Sequence, residues 1–408
     1  MTAPPAGYQR RHFLKLALGA AVAVPAAQLL GARAVAAQEA RPIRIGFIAL
    51  TDCASVVMAD QLGYFEERGL SVEVIKQASW PATRDNLLNG EIDAAHCLFS
   101  MPVSMAAGLG GQPDQVLKIA MTLSNNGQAI TLQKDLAAAG YGDLAAVKET
   151  LGQLQNGTVA MTFPGGTHDT WLRYWLLTAG IGMDQLQIIP IPPPQMVANM
   201  KVGTMNGFCV GEPWNAQAVT EDIGFTAITS QDIWQHHPEK ALVVNPTFAE
   251  SRVDDLKAVM GAVLKASSWL DDPANRSQAA QTIGTPAFVG ADPAVIEGRM
   301  LGRYDLGAGL GEKTFTDDFM QFFRGGQTNA PRRSHVMWFL AQYRRFGLLT
   351  EDPPYREIAD NLILSDLYQE VAAAEGITVP DDDLAPFPVK LDNVEFDPAS
   401  PEKEAMRP

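Results

Sequence analysis

The sequence predicts an α/β protein built as two lobes of one design. Three observations carry this: strand-helix-strand order near the start, the same order again about 113 residues later, and a matching turn in each copy. In the first copy Arg44-Ile45-Gly46-Phe47-Ile48-Ala49-Leu50 reads as a strand, a helix follows up to Gly63, and Ser71-Val72-Glu73-Val74-Ile75 reads as the next strand. In the second, Thr158 to Thr162 is a strand, Asp169 to Ala179 a helix and Leu186 to Ile191 a strand. Gly90 and Gly203, and likewise Asp93 and Asn206, stand 113 residues apart at a helix end followed by a short apolar run. Crossovers between lobes are expected near Ala129 to Gln133 and Ala241 to Asn245, and residues 246–408 read as helix-rich with a Pro- and acid-rich tail from Pro380.

At 408 residues and 47% hydrophobic content, the chain is long enough for two cores. A formal charge of −15 speaks against holding nucleic acid or anionic lipid by the overall field, so a bound anion needs local donors. Arg10-Arg11, an apolar stretch from Leu16 to Leu30 and the small residues Ala34 to Ala37 read as a twin-arginine export signal over residues 1–37. Its removal takes away Arg10, Arg11, Lys15 and Arg33 and no acid, moving the charge to about −19. The expected product is periplasmic. Cys53, Cys97 and Cys209 are odd in number and scattered, the pattern of buried free thiols.

In open α/β folds ligands collect at the carboxyl ends of the strands, so the loops at Thr51-Asp52, Ala78 to Trp80, His96-Cys97, Phe163 to His168 and Val210 to Trp214 are the places to search. In FPGGTHDTWLRYW, Thr167 reads as an N-cap that leaves His168 at the positive end of a helix, a place that favours an anion. In VGEPW, Gly211 permits close backbone approach and Pro213 suits a first helical position. No nucleophile elbow accompanies His168-Asp169, His236-His237 lack the spacing of a metal motif, and Gly307 to Thr314 departs from a phosphate loop by an extra Glu. Neither catalysis nor a metal nor a cofactor is expected.

The stretches GFIALTD, KQASWPATRDN, NGQAI, FPGGTHDTWLRYWL, PPPQMVANMKVG, FCVGEPWNAQ and HPEK, in this order, closely resemble the nitrate- and bicarbonate-binding proteins of ABC importers. The resemblance runs from about residue 43 to the tail. It implies a type II periplasmic-binding-protein fold with lobe I formed by 43–130 and 245–408, lobe II by 131–244, and a ligand cleft between them. It implies a monomer that delivers nitrate, or the similar nitrite, to a membrane permease driven by ATPase subunits. The ligand contacts it implies are Trp80, Gln128, His168, Gly211 and Lys240. Nitrate only accepts hydrogen bonds, so a ring of donors suits it. Lys240 favours nitrate, because bicarbonate-binding relatives carry an acidic residue and a metal ion at this point. Binders of bicarbonate or small sulfonates and a nitrate-sensing regulator are the alternatives. Pro81, after Trp80, departs from the small flexible residue common in relatives.

Overall fold

The computed structural model describes residues 41–379 and 382–408; the export signal expected over 1–37 lies outside the described residues. Two five-stranded sheets organise the chain from Pro42 onward. The first contains β1 (Ile43–Phe47), β2 (Val72–Lys76), β3 (Ala94–Leu98) and β4 (Lys118–Asn125), and the second β5 (Gln128–Gln133), β6 (Thr158–Met161), β7 (Gln187–Pro190), β8 (Gly207–Gly211) and β9 (Gly224–Thr229). A final strand, β10 (Pro238–Val244), returns to the first sheet, giving the orders β2-β1-β3-β10-β4 and β7-β6-β8-β5-β9. Each sheet has three parallel strands followed by an antiparallel one. The antiparallel members, β10 and β5, are the strands whose chain has just come from the other sheet.

The 113-residue repeat is the same local device built twice. Gly90 and Gly203 both take the left-handed conformation that ends a helix, at φ 68° and 78°. Asp93 then accepts from the Arg44 amide at 2.9 Å and Asn206 from the Thr158 amide at 2.9 Å, while their own amides donate to the carbonyls of Arg44 and Thr158. Each side chain thus fixes where the third strand of its sheet meets the first.

The runs Ala129 to Gln133 and Ala241 to Asn245, expected as crossovers, are strands β5 and β10 for nearly all their length. The chain passes between sheets a few residues earlier, at Asn126-Gly127 and over 230–237. An apolar β-branched run is worth more inside a sheet, where both faces are covered, than in a solvated linker. β10 is buried at every position. As a result Lys240 stands on the first sheet.

Residues beyond β10 are mainly helical, with a two-stranded ribbon of Arg303–Asp305 and Glu312–Thr314. Val253–Asp271 buries Leu256, Val259, Met260, Val263, Leu264 and Leu270 along one stripe. The tail carries a hairpin of Phe387–Val389 with Val394–Phe396 and a last short helix, Pro401–Ala405. It is tied down rather than loose: Phe387 stacks on Trp234 with centroids 4.4 Å apart, and Gln342 Nε2 donates to Glu404 Oε1 at 2.8 Å. Cys53, Cys97 and Cys209 are buried and free, and burial pushes each thiol up, away from the reactive thiolate. Among the described residues no helix is long and apolar enough to cross a membrane.

Candidate functional site

All five residues singled out in the sequence are buried, and each lies where a loop or strand end of one sheet meets the other. Trp80 opens the helix Trp80–Leu88, whose cap is Ser79: its Oγ accepts from the Ala82 amide at 3.3 Å, and Pro81 sits in the first turn, where its missing amide costs nothing. The indole ring lies 6.1 Å from the His96 ring, and the Lys240 ammonium is 5.8 Å from the Trp80 ring centroid. Gln128 and Gly211 are direct partners across β5 and β8. A Cβ on Gly211 would lie 3.1 Å from Leu50 Cδ2 and 3.7 Å from Asp52 Oδ2, so the end of β8 passes close against the loop after β1.

The seam is held by bonds between the two sheets' loops. The Thr51 amide donates to the Glu212 carbonyl at 2.8 Å, Trp214 Nε1 to the Ala49 carbonyl at 2.9 Å, and Ser104 Oγ to the Pro164 carbonyl at 2.6 Å. Pro213 precedes the helix Trp214–Thr220 instead of occupying its first position. The Glu212 side chain takes over the helix start, accepting from the Ala216 amide at 3.1 Å.

His168 lies in the first turn of the helix Thr167–Thr178, but Thr167 is not its cap. The position is held by Gly166, and the Thr167 hydroxyl instead donates to Glu239 Oε1 at 2.6 Å. Asp169 closes the loop from within, accepting from the Gly165 amide at 2.8 Å and from Arg173 at 2.7 Å. His168 Nδ1 is 2.6 Å from the Thr162 hydroxyl. Burial, and then the nearby Lys240 charge, holds the imidazole well below its usual pKa, so it is neutral.

Lys240 is fully buried and already paired. Its ammonium donates to Asp52 Oδ2 and Glu239 Oε1, both at 2.8 Å. Asp52 also meets His96 Nε2 at 2.8 Å, and Glu239 Oε2 accepts from Trp171 Nε1 at 3.2 Å. Burial by itself would raise the Asp52 carboxyl, but Lys240 and His96 hold it down at about 2. Burial would likewise discharge Lys240, and Asp52 and Glu239 hold its pKa above the usual value. The pair is therefore ionic, and two of the three ammonium protons are committed. Asp52, His96, Glu239, Thr162 and Thr167 were not singled out as contacts in the sequence. Glu239 stands beside Lys240 in HPEK and Asp52 ends GFIALTD, but nothing local says they meet a cation.

Thr51 Oγ1 and His96 Nδ1 are among the buried polar atoms without a protein partner, and so are four on the five residues singled out: Trp80 Nε1, Gln128 Nε2 and Oε1, and His168 Nε2. Three of these last four can donate a hydrogen bond, and leaving such groups unmatched in a dry interior costs about 1–3 kcal/mol each. Among the described residues no group of three or more His, Cys, Asp or Glu could hold a metal ion.

The buried histidines predict how stability depends on pH. Burial, above all, pulls His237 down to about 3, and it lies 4.5 Å from the Trp171 ring. The unfolded chain then takes up a proton below about pH 6.5 that the native state refuses. His237 alone removes roughly 1.4 kcal/mol per pH unit as pH falls from about 6.5 toward 3. His168 and His335 act in the same sense, while Asp318, raised by burial to about 6, opposes them between about 4 and 6. The urea midpoint is therefore expected to fall from pH 7 to pH 5, and less so in His237→Gln. Equal slopes for the two proteins would show that His237 is not the group responsible.

The NMT1-like family model matches residues 36–284. The nitrate/nitrite binding protein NrtA of Nostoc sp. strain PCC 7120 is 36% identical over 93% of this chain and 88% of its own length. The bicarbonate-binding protein CmpA of Synechococcus elongatus is 26% identical over 89% and 86%. The crystal structure of the periplasmic nitrate-binding protein NrtA from Synechocystis PCC 6803 superposes with a TM-score of 0.84 at 34% identity, covering 90% of this chain and 98% of that one. Two sheets, a seam lined by unmatched donors and relatives along almost the whole chain lead to one assignment: the protein belongs to the NMT1-like family, with the two-lobed fold of periplasmic binding proteins.

Proposed function

We propose that the protein is the periplasmic substrate-binding component of an ABC importer and that it binds nitrate, with nitrite as the similar second ligand, between its two sheets. The observation that carries this is that Trp80, Gln128 and His168 each hold a buried N–H without a protein partner, with Gln128 paired to Gly211 and the Lys240 ammonium 5.8 Å from the Trp80 ring. A planar anion that only accepts hydrogen bonds satisfies all three donors at once. With the Thr162 hydroxyl donating to Nδ1, His168 carries its proton on Nε2 and presents it to the anion. Trp80 adds a flat wall. Lys240 supplies positive potential and one remaining ammonium proton, although Asp52 and Glu239 compensate its charge.

The carboxylates beside Lys240 are engaged by donors, which leaves Gln128 Oε1 as the acceptor a bicarbonate hydroxyl would need, so the preference for nitrate rests on the three donors and on Lys240. Lobe I is proposed as residues 43–130 and 245–408 and lobe II as 131–244, adjusted so that β10 counts with the first and β5 with the second. Closure about the two crossovers would sequester the anion and give a permease one shape to recognise. Export by the twin-arginine route, assembly as a monomer with permease and ATPase subunits, and the absence of catalysis complete the reading.

Calorimetry of the purified protein tests it. Nitrate is expected to release heat with one ion per chain, nitrite less strongly, and bicarbonate and a sulfonate none, with or without calcium. Silence with nitrate together with calcium-dependent heat from bicarbonate would reverse the assignment.

A further inference from the structure

A pocket lined by none of the five seam residues lies beside the crossover 230–237 and the C-terminal hairpin. Its volume is about 500 Å³. Arg324, Arg332, Lys390, His236 and His335 line it with Phe387, and no carboxylate does. Burial holds both histidines below the usual imidazole pKa, so the positive groups here are Arg324, Arg332 and Lys390, in a chain of net charge −15.

Arg324 feels Asp318 and Asp271, and Arg332 feels Asp382 and Asp383, but none of these carboxylates closes a direct ion pair with its guanidinium among the described residues. By contrast, Arg299 pairs with Glu212 at 3.2 Å, and Arg276 donates to the carbonyls of Leu270 and Met320 at 2.9 Å each. Among the described residues neither Arg324 nor Arg332 has a carboxylate within ion-pair distance. Arg332 Nη2 donates to the Ala385 carbonyl at 2.8 Å, but its Nε is buried without a partner. Of the two acids that act on Arg332, Asp382 and Asp383, the second is taken by Arg333 at 2.7 and 2.8 Å. Arg324 reaches only the Gln327 amide oxygen, at 3.3 Å. Lys390 differs, since Asp232 answers it at 2.8 Å.

A second observation concerns His335. It is only 8% exposed and its Nδ1 has no partner. It lies in the first turn of the helix Arg333–Arg345, whose start carries no side-chain cap. The positive end of that helix therefore adds to the two guanidinium groups. Both arginines are half-buried, and a guanidinium fork matches a carboxylate through two parallel hydrogen bonds.

We propose that this pocket is a second anion site, separate from the seam, and that it takes a small organic polycarboxylate. Two unpaired arginines suit two carboxylates. The volume exceeds what a triatomic or tetra-atomic ion fills and lies in the range of organic ligands. Phe387, Pro388 and Ala330 supply the apolar wall a carbon skeleton needs.

The test is calorimetry of the purified protein with citrate and succinate, with phosphate and nitrate as comparisons. Citrate is expected to bind with one ion per chain, undiminished by saturating nitrate. Arg332→Gln and Arg324→Gln are each expected to weaken it about tenfold or more. A cooperative unfolding transition near the wild-type temperature confirms that each variant is folded. If either is not, Lys390→Gln, at the half-exposed rim, carries the same expectation of weaker binding. Absence of heat from both carboxylates, unchanged citrate affinity in the folded variants, or displacement of citrate by nitrate overturns the site. Phosphate binding more tightly than both carboxylates overturns the ligand class.

Discussion

Lys240→Glu is expected to abolish nitrate binding and to destabilise the fold. The substitution would place a third carboxyl group against Asp52 and Glu239 in a space from which water is excluded. Removing one member of a buried ion pair typically costs about 3–5 kcal/mol, because the charges left behind remain unpaired. Lys240→Met separates the two consequences. It keeps much of the side chain's volume, leaves Asp52 with His96, and leaves Glu239 with Thr167 and Trp171. A lowered urea midpoint at unchanged dependence on urea, together with loss of nitrate heat, is the expected result for Met. A folded Lys240→Met protein with undiminished nitrate affinity would remove Lys240 from the site and leave it a purely structural cation.

His168→Ala is expected to weaken nitrate binding by about tenfold to a hundredfold, the range for one hydrogen bond to a charged group. Because the imidazole is neutral, the loss is one of a donor and not of a charge, and it should change little between pH 6 and 8. Thr162→Val is the sharper probe. It keeps His168 but removes the hydroxyl at 2.6 Å from Nδ1, freeing the ring to move its proton from Nε2. A several-fold loss of nitrate affinity with stability nearly kept is expected, measured by calorimetry beside thermal unfolding. Unaltered affinity in Thr162→Val would mean that the tautomer is fixed by something other than this hydroxyl.

These expectations rest on residues that differed widely in how visible they were. The parallel strands, the turns at Gly90 and Gly203 and the helix after the paired glycines could be placed from period and turn chemistry, because those signals are local. Trp80, Gln128, His168, Gly211 and Lys240 stood out through the resemblance of their surrounding stretches. Local pattern failed where two elements compete for one role. Thr167 has the right residue type for a cap, yet its hydroxyl serves Glu239, a residue 72 positions away. The runs around Ala129 and Ala241 were expected as crossovers and are strands, and nothing within them states which sheet they join.

Sequence by itself therefore determined the two-lobed α/β design, the positions of its loops and the donors on offer, since each depends on residues a few places apart. Tertiary structure alone decided how those donors are used. Asp52 and Lys240, 188 residues apart, meet only because β10 returns to the first sheet. That return puts a buried cation between two carboxylates, and leaves Trp80, Gln128 and His168 among the groups still seeking a partner. Long-range pairing of this kind is set by which surfaces the closed fold excludes from water, and no short stretch of sequence encodes that.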